Sequence, residues 1–301
     1  MEPLVQDALV LGTHPTGRPD RIRRILTHDT PPHAALSYIV LDTLIIHLPP
    51  SRDLILKYFT PSSPTRASQT RLIGQVAARI VGSVFLTMMF PSAIRTLLDP
   101  QMRASYENAL YLTSEDSQRC IQVAAAYFIY DTYICVFRYA ENGLPFLIHA
   151  LLCCLAYLYP LLTGNMHYQG ANFLCWECST PFLYLRWVLI KARFSSEARR
   201  KSWQNVANML FAFAFFACRI VCGPMQSWSY YDASTWDMAR GGSGGGRIPA
   251  TVAWSYRSAM LVLNGLNYWW FSAIVRIGLG KGSKETVEAS SPTAGSRRRS
   301  G

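Results

Sequence analysis

The sequence predicts an all-α fold, a polytopic membrane bundle of about six to seven transmembrane helices. Three observations carry that reading. Of 301 residues, 50% are hydrophobic and only 16% are charged, too few charges to cover a soluble domain of this size. Mean hydropathy is positive, +0.11. The apolar residues also gather into segments long enough to cross about 30 Å of hydrocarbon. The same composition excludes a disordered or collagen-like chain. Cys120, Cys135, Cys153, Cys154, Cys175, Cys178, Cys218 and Cys222 all lie in apolar runs, so they read as small hydrophobes and not as a disulfide framework.

The N-terminal tail, 1–32, is polar, with Arg18, Asp20, Arg21, Arg23 and Arg24, and has no apolar core of a cleavable signal, so insertion is expected to begin at an internal span. Seven segments qualify: 33–49, 72–95, 120–138, 144–163, 171–190, 204–226 and 250–275. The first is the weakest. It holds Asp42 and stops at Pro49-Pro50, so it reads as either a crossing or an interfacial, half-inserted helix, followed to residue 69 by a basic loop. Residues 70–276 form the main transmembrane domain. Asn142-Gly143-Leu144-Pro145 and Thr163-Gly164-Asn165 are turns that tie the third, fourth and fifth spans together. In the fifth span, Pro181 removes a backbone donor and biases Thr180 away from the helical region, which predicts a kink over Glu177–Pro181. Gly223-Pro224 predicts another just after Arg219. The glycine-rich run 241–246 lacks the strand before it and the Lys-Ser/Thr after it that a phosphate loop needs, and reads as a flexible connection. The tail 277–301, with Arg297, Arg298 and Arg299, reads as disordered and basic.

The net charge of +11 is distributed by topology. Alternate connections hold 16 Lys and Arg on one side (50–71, 138–143, 191–203 and the C-terminal residues from Arg276 on) and 9 on the other. The positive-inside rule therefore expects the first set, and the C-terminus, in the cytosol. Basic residues scattered over loops, without stacking aromatics on one face, argue against nucleic acid as a partner.

Ionisable groups inside spans are costly and make the candidate functional residues. Counted along each helix from its cytosolic end, Asp131, His149 and Arg186 lie about 6–10 Å deep, and Glu177 and Arg219 about 20–22 Å. The deeper two can neutralise each other across two helices, a structural role. In the shallower set, a carboxylate beside an imidazole can fix its tautomer, so His149 with Asp131 can serve as base or nucleophile. His149 can equally sit at the polar interface, and Arg186, beside Trp187, can snorkel to headgroups. Cys175 and Cys178 have C-x-x-C spacing but no second pair or histidine to complete a tetrahedral site, so no metal is expected. A transporter would use Glu177 and Arg219 as a pathway, but no inverted repeat accompanies them.

Tyr127-Phe128-Ile129-Tyr130-Asp131, Leu147-Ile148-His149-Ala150-Leu151-Leu152, and the specific stretch from Trp176 through Glu177, Ser179, Thr180, Pro181 and Phe182 to Arg186 and Trp187 together resemble TLC-domain membrane proteins, in the branch apart from the ceramide synthases. Phe215 to Pro224 and Leu263 to Trp270 are similar to the last two spans of that family, and the resemblance covers about residues 70–276. It implies a bundle around a lipid cavity in the endoplasmic reticulum membrane, a part in lipid homeostasis, membrane lipids as partners, no bound cofactor, and a homo-oligomeric state left open. Glu177, Ser179, Thr180, Arg186 and Arg219 are then lipid-binding or structural polar residues. Ceramide synthases join an acyl-CoA to a sphingoid amine with a His-His pair followed by acidic residues. Here His149 is followed by Ala150, so the alternative, an acyl-CoA-dependent N-acyltransferase using His149 and Asp131, keeps half of that machinery.

Overall fold

A computed structural model describes residues 31–59, 63, 65–193, 196–241 and 248–278. Most of the polar N-terminal tail and of the glycine-rich run, and nearly all of the basic C-terminal tail, lie outside the described residues.

The helices are α1 (Pro31–His47), α2 (Pro49–Tyr58), α3 (Arg66–Leu98), α4 (Pro100–Arg103), α5 (Tyr106–Tyr111), α6 (Glu115–Phe137), α7 (Tyr139–Asn142), α8 (Leu144–Thr163), α9 (His167–Phe173), α10 (Thr180–Lys191), α11 (Glu197–Phe215), α12 (Cys222–Gly241) and α13 (Ala250–Gly278). A 3₁₀ turn over Leu174–Ser179 joins α9 to α10, and a π-helical segment over Phe216–Val221 joins α11 to α12. The ends are set locally. Thr65 caps α3 by accepting from the Ser68 amide, and Ser114 with Ser117 forms a capping box on α6. Gly143 and Gly164 take φ of 76° and 75°, the left-handed values that close the turns on either side of α8.

Among the described residues, four helical runs are long and apolar enough to cross a membrane: Arg66–Leu98, Glu115–Phe137, Leu144–Thr163 and the continuous Glu197–Gly241. Counting α1 and α2 as one bent span makes five. The expected count of six to seven is therefore not reached, for three physical reasons. The segment 33–49 ends where Pro49 and Pro50 start a new helix, and the chain turns by 70° there. The segment 171–190 is split by the 3₁₀ turn. The last helix, α13, has 29 residues, but Asn264, Asn267, Tyr268, Trp269 and Trp270 dilute its apolarity.

At the centre stands α6, which packs on α1, α3 and α8. Its run Ala124-Ala125-Ala126 is fully buried, and these short side chains let the neighbours approach closely. Phe85 stacks on Tyr127 at 3.9 Å between ring centroids, and Phe128 on Tyr157 at 5.1 Å. Large apolar side chains such as Leu155, Met209, Phe213 and Leu261 point outward, as they do when lipid is the solvent.

The connections sort to two ends. At one, Phe59 pairs with Ala192, the Arg193 amide donates to the Tyr58 carbonyl at 2.8 Å, and Arg71 lies 3.8 Å from Glu141. At the other, the Met166 amide donates to Leu110 at 2.5 Å, while Asp237 accepts from the Tyr111 hydroxyl at 2.5 Å and from the Ile248 amide at 3.2 Å. These contacts join loops within each of the two charge-counted sets.

Helix α10 lies against α3 at a glycine. A Cβ on Gly82 would stand 2.2 Å from the hydroxyl oxygen of Tyr184 and 2.9 Å from its Cζ. Gly82→Ala is expected to lift Tyr184 off α3 and cost about 1–3 kcal/mol as overpacking. Heating the detergent-solubilised protein and measuring the surviving monodisperse fraction checks this. Adding Tyr184→Phe should return part of the loss, and an unchanged midpoint in Gly82→Ala would refute the contact.

Candidate functional site

On α8, His149, Cys153, Ala156, Tyr157 and Pro160 recur at helical spacing and face the bundle interior. Together with Phe128 of α6, with Met166, Gly170, Phe173, Leu174, Trp176 and Glu177, and with Tyr256, Ala259, Met260 and Leu263 of α13, they line a cavity of about 50 Å³. Its lining is apolar apart from a few groups, of which His149 and Glu177 stand out. His149 has the Cys153 sulfur 3.8 Å from its Nε2, one turn along the helix, and the Trp270 ring edge-on at 5.7 Å between centroids.

Proline chemistry places Glu177. Pro181 has no N–H to give the Glu177 carbonyl, and the Thr180 amide donates to it instead, one residue early, which tightens the chain to 3₁₀. The same logic holds opposite. Pro224 cannot donate to Ile220, and the π-helical turn lies just before it, carrying Arg219 inward to 8% exposure. The two irregular segments pack on each other. Arg219 Nη2 lies 3.1 Å from Glu177 Oε1, its Nε donates to Ser179 Oγ at 3.0 Å, and Nη1 reaches Asn267 Oδ1 at 3.4 Å. Thr180 Oγ1 donates to Glu177 Oε2 at 2.6 Å. Both carboxylate oxygens of Glu177 are thus engaged, and this network is a built scaffold more than a free acid or base.

Of the sequence-chosen residues, Glu177, Ser179, Thr180 and Arg219 form one network. His149 and Glu177, expected in separate layers, line the same cavity, because depths counted from each helix's own end share no common origin. Asp131 and His149 are joined by no hydrogen bond or ion pair among the described residues, so the orienting carboxylate expected for the imidazole is not in contact with it. Arg186 lies away from the cavity and donates to Asn208 Oδ1 on α11 at 2.7 Å. Ala150 is 0% exposed and lies outside the cavity lining, so the position after His149 belongs to packing.

Sequence reasoning missed Cys153, Trp176, Asn267 and Trp270. Asn267 had a signal, a polar amide interrupting an apolar run. Four buried polar atoms near the site have no hydrogen-bond partner among the described residues: Trp176 Nε1, Trp270 Nε1, Asn264 Oδ1 and Asn267 Nδ2. Buried groups of this kind are costly unless water or a bound group supplies the missing partner. All eight cysteines are free. No group of three or more His, Cys, Asp or Glu among the described residues is placed to hold a metal.

The model of the TLC domain matches residues 75–276. Topoisomerase I damage affected protein 4 of Saccharomyces cerevisiae is 29% identical over 171 residues, which is 56% of this chain and 58% of that protein. An uncharacterized TLC domain-containing protein of Schizosaccharomyces pombe is 26% identical over 161 residues, 51% of this chain and 49% of that one. A second uncharacterized TLC domain-containing protein of S. cerevisiae is 26% identical over the same length, 52% of this chain and 50% of its own. The chain spans about half the length of the curated relatives it matches. No solved structure matches it.

Proposed function

The chain belongs to the TLC-domain family of integral membrane proteins, and on that premise we propose that it holds a lipid acyl chain within its helix bundle and acts in lipid homeostasis, without an intact ceramide-synthase centre. The observation that carries this reading is the enclosed apolar cavity with unpartnered polar atoms around it. The apolar lining suits a chain, and Trp176 in the cavity wall carries an unpartnered Nε1 donor for a carbonyl or headgroup oxygen. About 50 Å³ is far less than a chain occupies, so entry requires the flexible Met166 and Met260 side chains to swing aside. The endoplasmic reticulum is the expected membrane, from the family resemblance, with the C-terminus in the cytosol, from the excess of basic residues on that side.

The N-acyltransferase reading keeps one supporting observation, the imidazole of His149 at the cavity wall beside the Cys153 thiol. Against it stand Ala150 in the place of a second histidine and an Asp131 that makes no hydrogen bond or ion pair with the ring among the described residues.

The deciding experiment purifies the full chain in detergent and assays it by mass spectrometry against a panel of acyl-CoAs with amine and alcohol acceptors, beside His149→Ala and Ala259→Phe. The expected result is no acyl-transfer product, with a lipid that co-purifies with the native protein and His149→Ala but is depleted in Ala259→Phe, whose ring fills the cavity. Product that vanishes in His149→Ala would establish the acyltransferase instead. Lipid retained equally in Ala259→Phe would remove the cavity as its site.

A further inference from the structure

We infer that the groove between α2, α3 and α10 is a second lipid site, which seats an anionic membrane phospholipid with an acyl chain along α3 and its phosphate at the unpaired guanidinium of Arg79. The groove is separate from the enclosed cavity: no residue lines both. It is also much larger, about 660 Å³, and open along one side.

Its floor is a stripe on α3 repeating every four residues, Val76, Ile80, Val84 and Met88. Those twelve steps span about 18 Å, the reach of an extended chain segment. Ser83 and Thr87 lie beside the stripe, but each hydroxyl donates to the carbonyl four residues earlier, at 2.7 and 2.9 Å. Their polarity is therefore spent inside the helix, and the surface offered to a ligand is apolar.

Arg79 is the exception, and it lies inside a membrane-spanning helix. Its guanidinium carbon stands 3.9 Å from the Trp187 ring centroid, and Nη1 donates to the Gln75 carbonyl at 2.7 Å. Its Nε is buried with no hydrogen-bond partner, and no carboxylate forms an ion pair with it among the described residues. An uncompensated cation at membrane depth demands an anion, and the planar fork of arginine suits a phosphate. Trp187 lies against the guanidinium at the groove wall, and Nη2 is the guanidinium nitrogen left for that anion once Nη1 serves Gln75 and Nε is buried.

The mouth has matching charge. At the Phe59–Ala192 end, Lys57 lies on α2, and Arg193 donates to the Phe59 carbonyl at 3.3 Å. Basic side chains at the edge of a pocket between membrane helices favour an anionic headgroup over a zwitterionic one. Helix α2, bent 70° away from α1, supplies Leu54, Ile55 and Tyr58 as the wall nearest that mouth. Phosphate and chain are then recognised together, and a soluble phosphate would use only half of the site.

The test places the full chain in phosphatidylcholine nanodiscs that contain photo-crosslinkable phosphatidic acid, or a diacylglycerol with the same chains, and maps the label by peptide mass spectrometry. Phosphatidic acid is expected to label residues 76–88 and the α10 peptide with Trp187. Arg79→Gln should lower that labelling about tenfold, to the diacylglycerol level, and Arg79→Lys should keep most of it. Val84→Trp retains the cation but blocks the channel, and should abolish labelling by both lipids even if Arg79→Gln does not fold. Four results would overturn the assignment: label absent from 76–88, equal labelling by the two lipids in the native chain, labelling indifferent to Val84→Trp, or displacement of the lipid by inorganic phosphate.

Discussion

Neutralising either half of the Glu177–Arg219 pair is expected to cost the bundle about 3–5 kcal/mol, the penalty for leaving one buried charge without its partner. The side chains are only 9% and 13% exposed, so neither ion can be rescued by water in place. Glu177→Gln keeps the size and the acceptor for Thr180 but strands Arg219, whose remaining partners, Ser179 Oγ, Thr180 Oγ1 and Asn267 Oδ1, are neutral. Arg219→Met strands the carboxylate instead, against a single hydroxyl donor. The pair Glu177→Gln with Arg219→Met removes both charges and should recover most of the loss. A charge swap, Glu177→Arg with Arg219→Glu, should be better tolerated than either single neutralisation. The check is the thermal midpoint of the solubilised protein across the set. Equal damage from both single variants and the swap would mean that the two residues do not act as a pair.

That pair also marks what the sequence made legible. Two intramembrane ions of opposite sign, each close to a proline, were enough to expect a neutralising contact between bent helices, because lipid offers no alternative partner. The kinks themselves were legible only coarsely. Pro181 and Pro224 announce a missing donor, yet the chain absorbs the loss ahead of each proline, as a 3₁₀ turn over Leu174–Ser179 and a π turn over Phe216–Val221. Tight and wide turns are equally good answers to one lost hydrogen bond, and tertiary packing decides between them. The relation of His149 to Asp131 was not legible, since residues on two helices meet only if rotation and height both agree, and a sequence fixes neither. The groove at Arg79 was missed for a related reason. Arg79 falls within an apolar run whose ends pass as a clean span, and only the packing of α10 shows that a ring faces the guanidinium, with no carboxylate in an ion pair with it among the described residues.

The first helix gives the second large effect. Asp42 weakens 33–49 as a crossing segment on sequence grounds, and the structure shows how it is accommodated. Asp42 is buried, and its carboxylate accepts from the Tyr130 hydroxyl at 3.0 Å and forms an ion pair with Arg138 at the end of α6. Arg138 also donates to the Gly74 carbonyl at 2.9 Å, so one guanidinium ties α1, α3 and α6 together. The two partners differ in reach. With side-chain exposures of 6% for Asp42 and 19% for Arg138, the arginine sits nearer the surface and, released, can snorkel to headgroups, whereas the carboxylate cannot escape. Arg138→Met is therefore expected to cost about 3–5 kcal/mol, and Asp42→Asn distinctly less. Tyr130→Phe removes a single neutral donor and should cost about 1 kcal/mol. Because α1 leads directly into α2, its release should be detectable before the bundle melts, as faster trypsin cleavage at Arg52 and Lys57 in Arg138→Met than in the native chain. If Asp42→Asn instead proved the more damaging, the stranded carboxylate would not be the source of the loss, and Arg138 would have to be regarded as the group that depends on the contact.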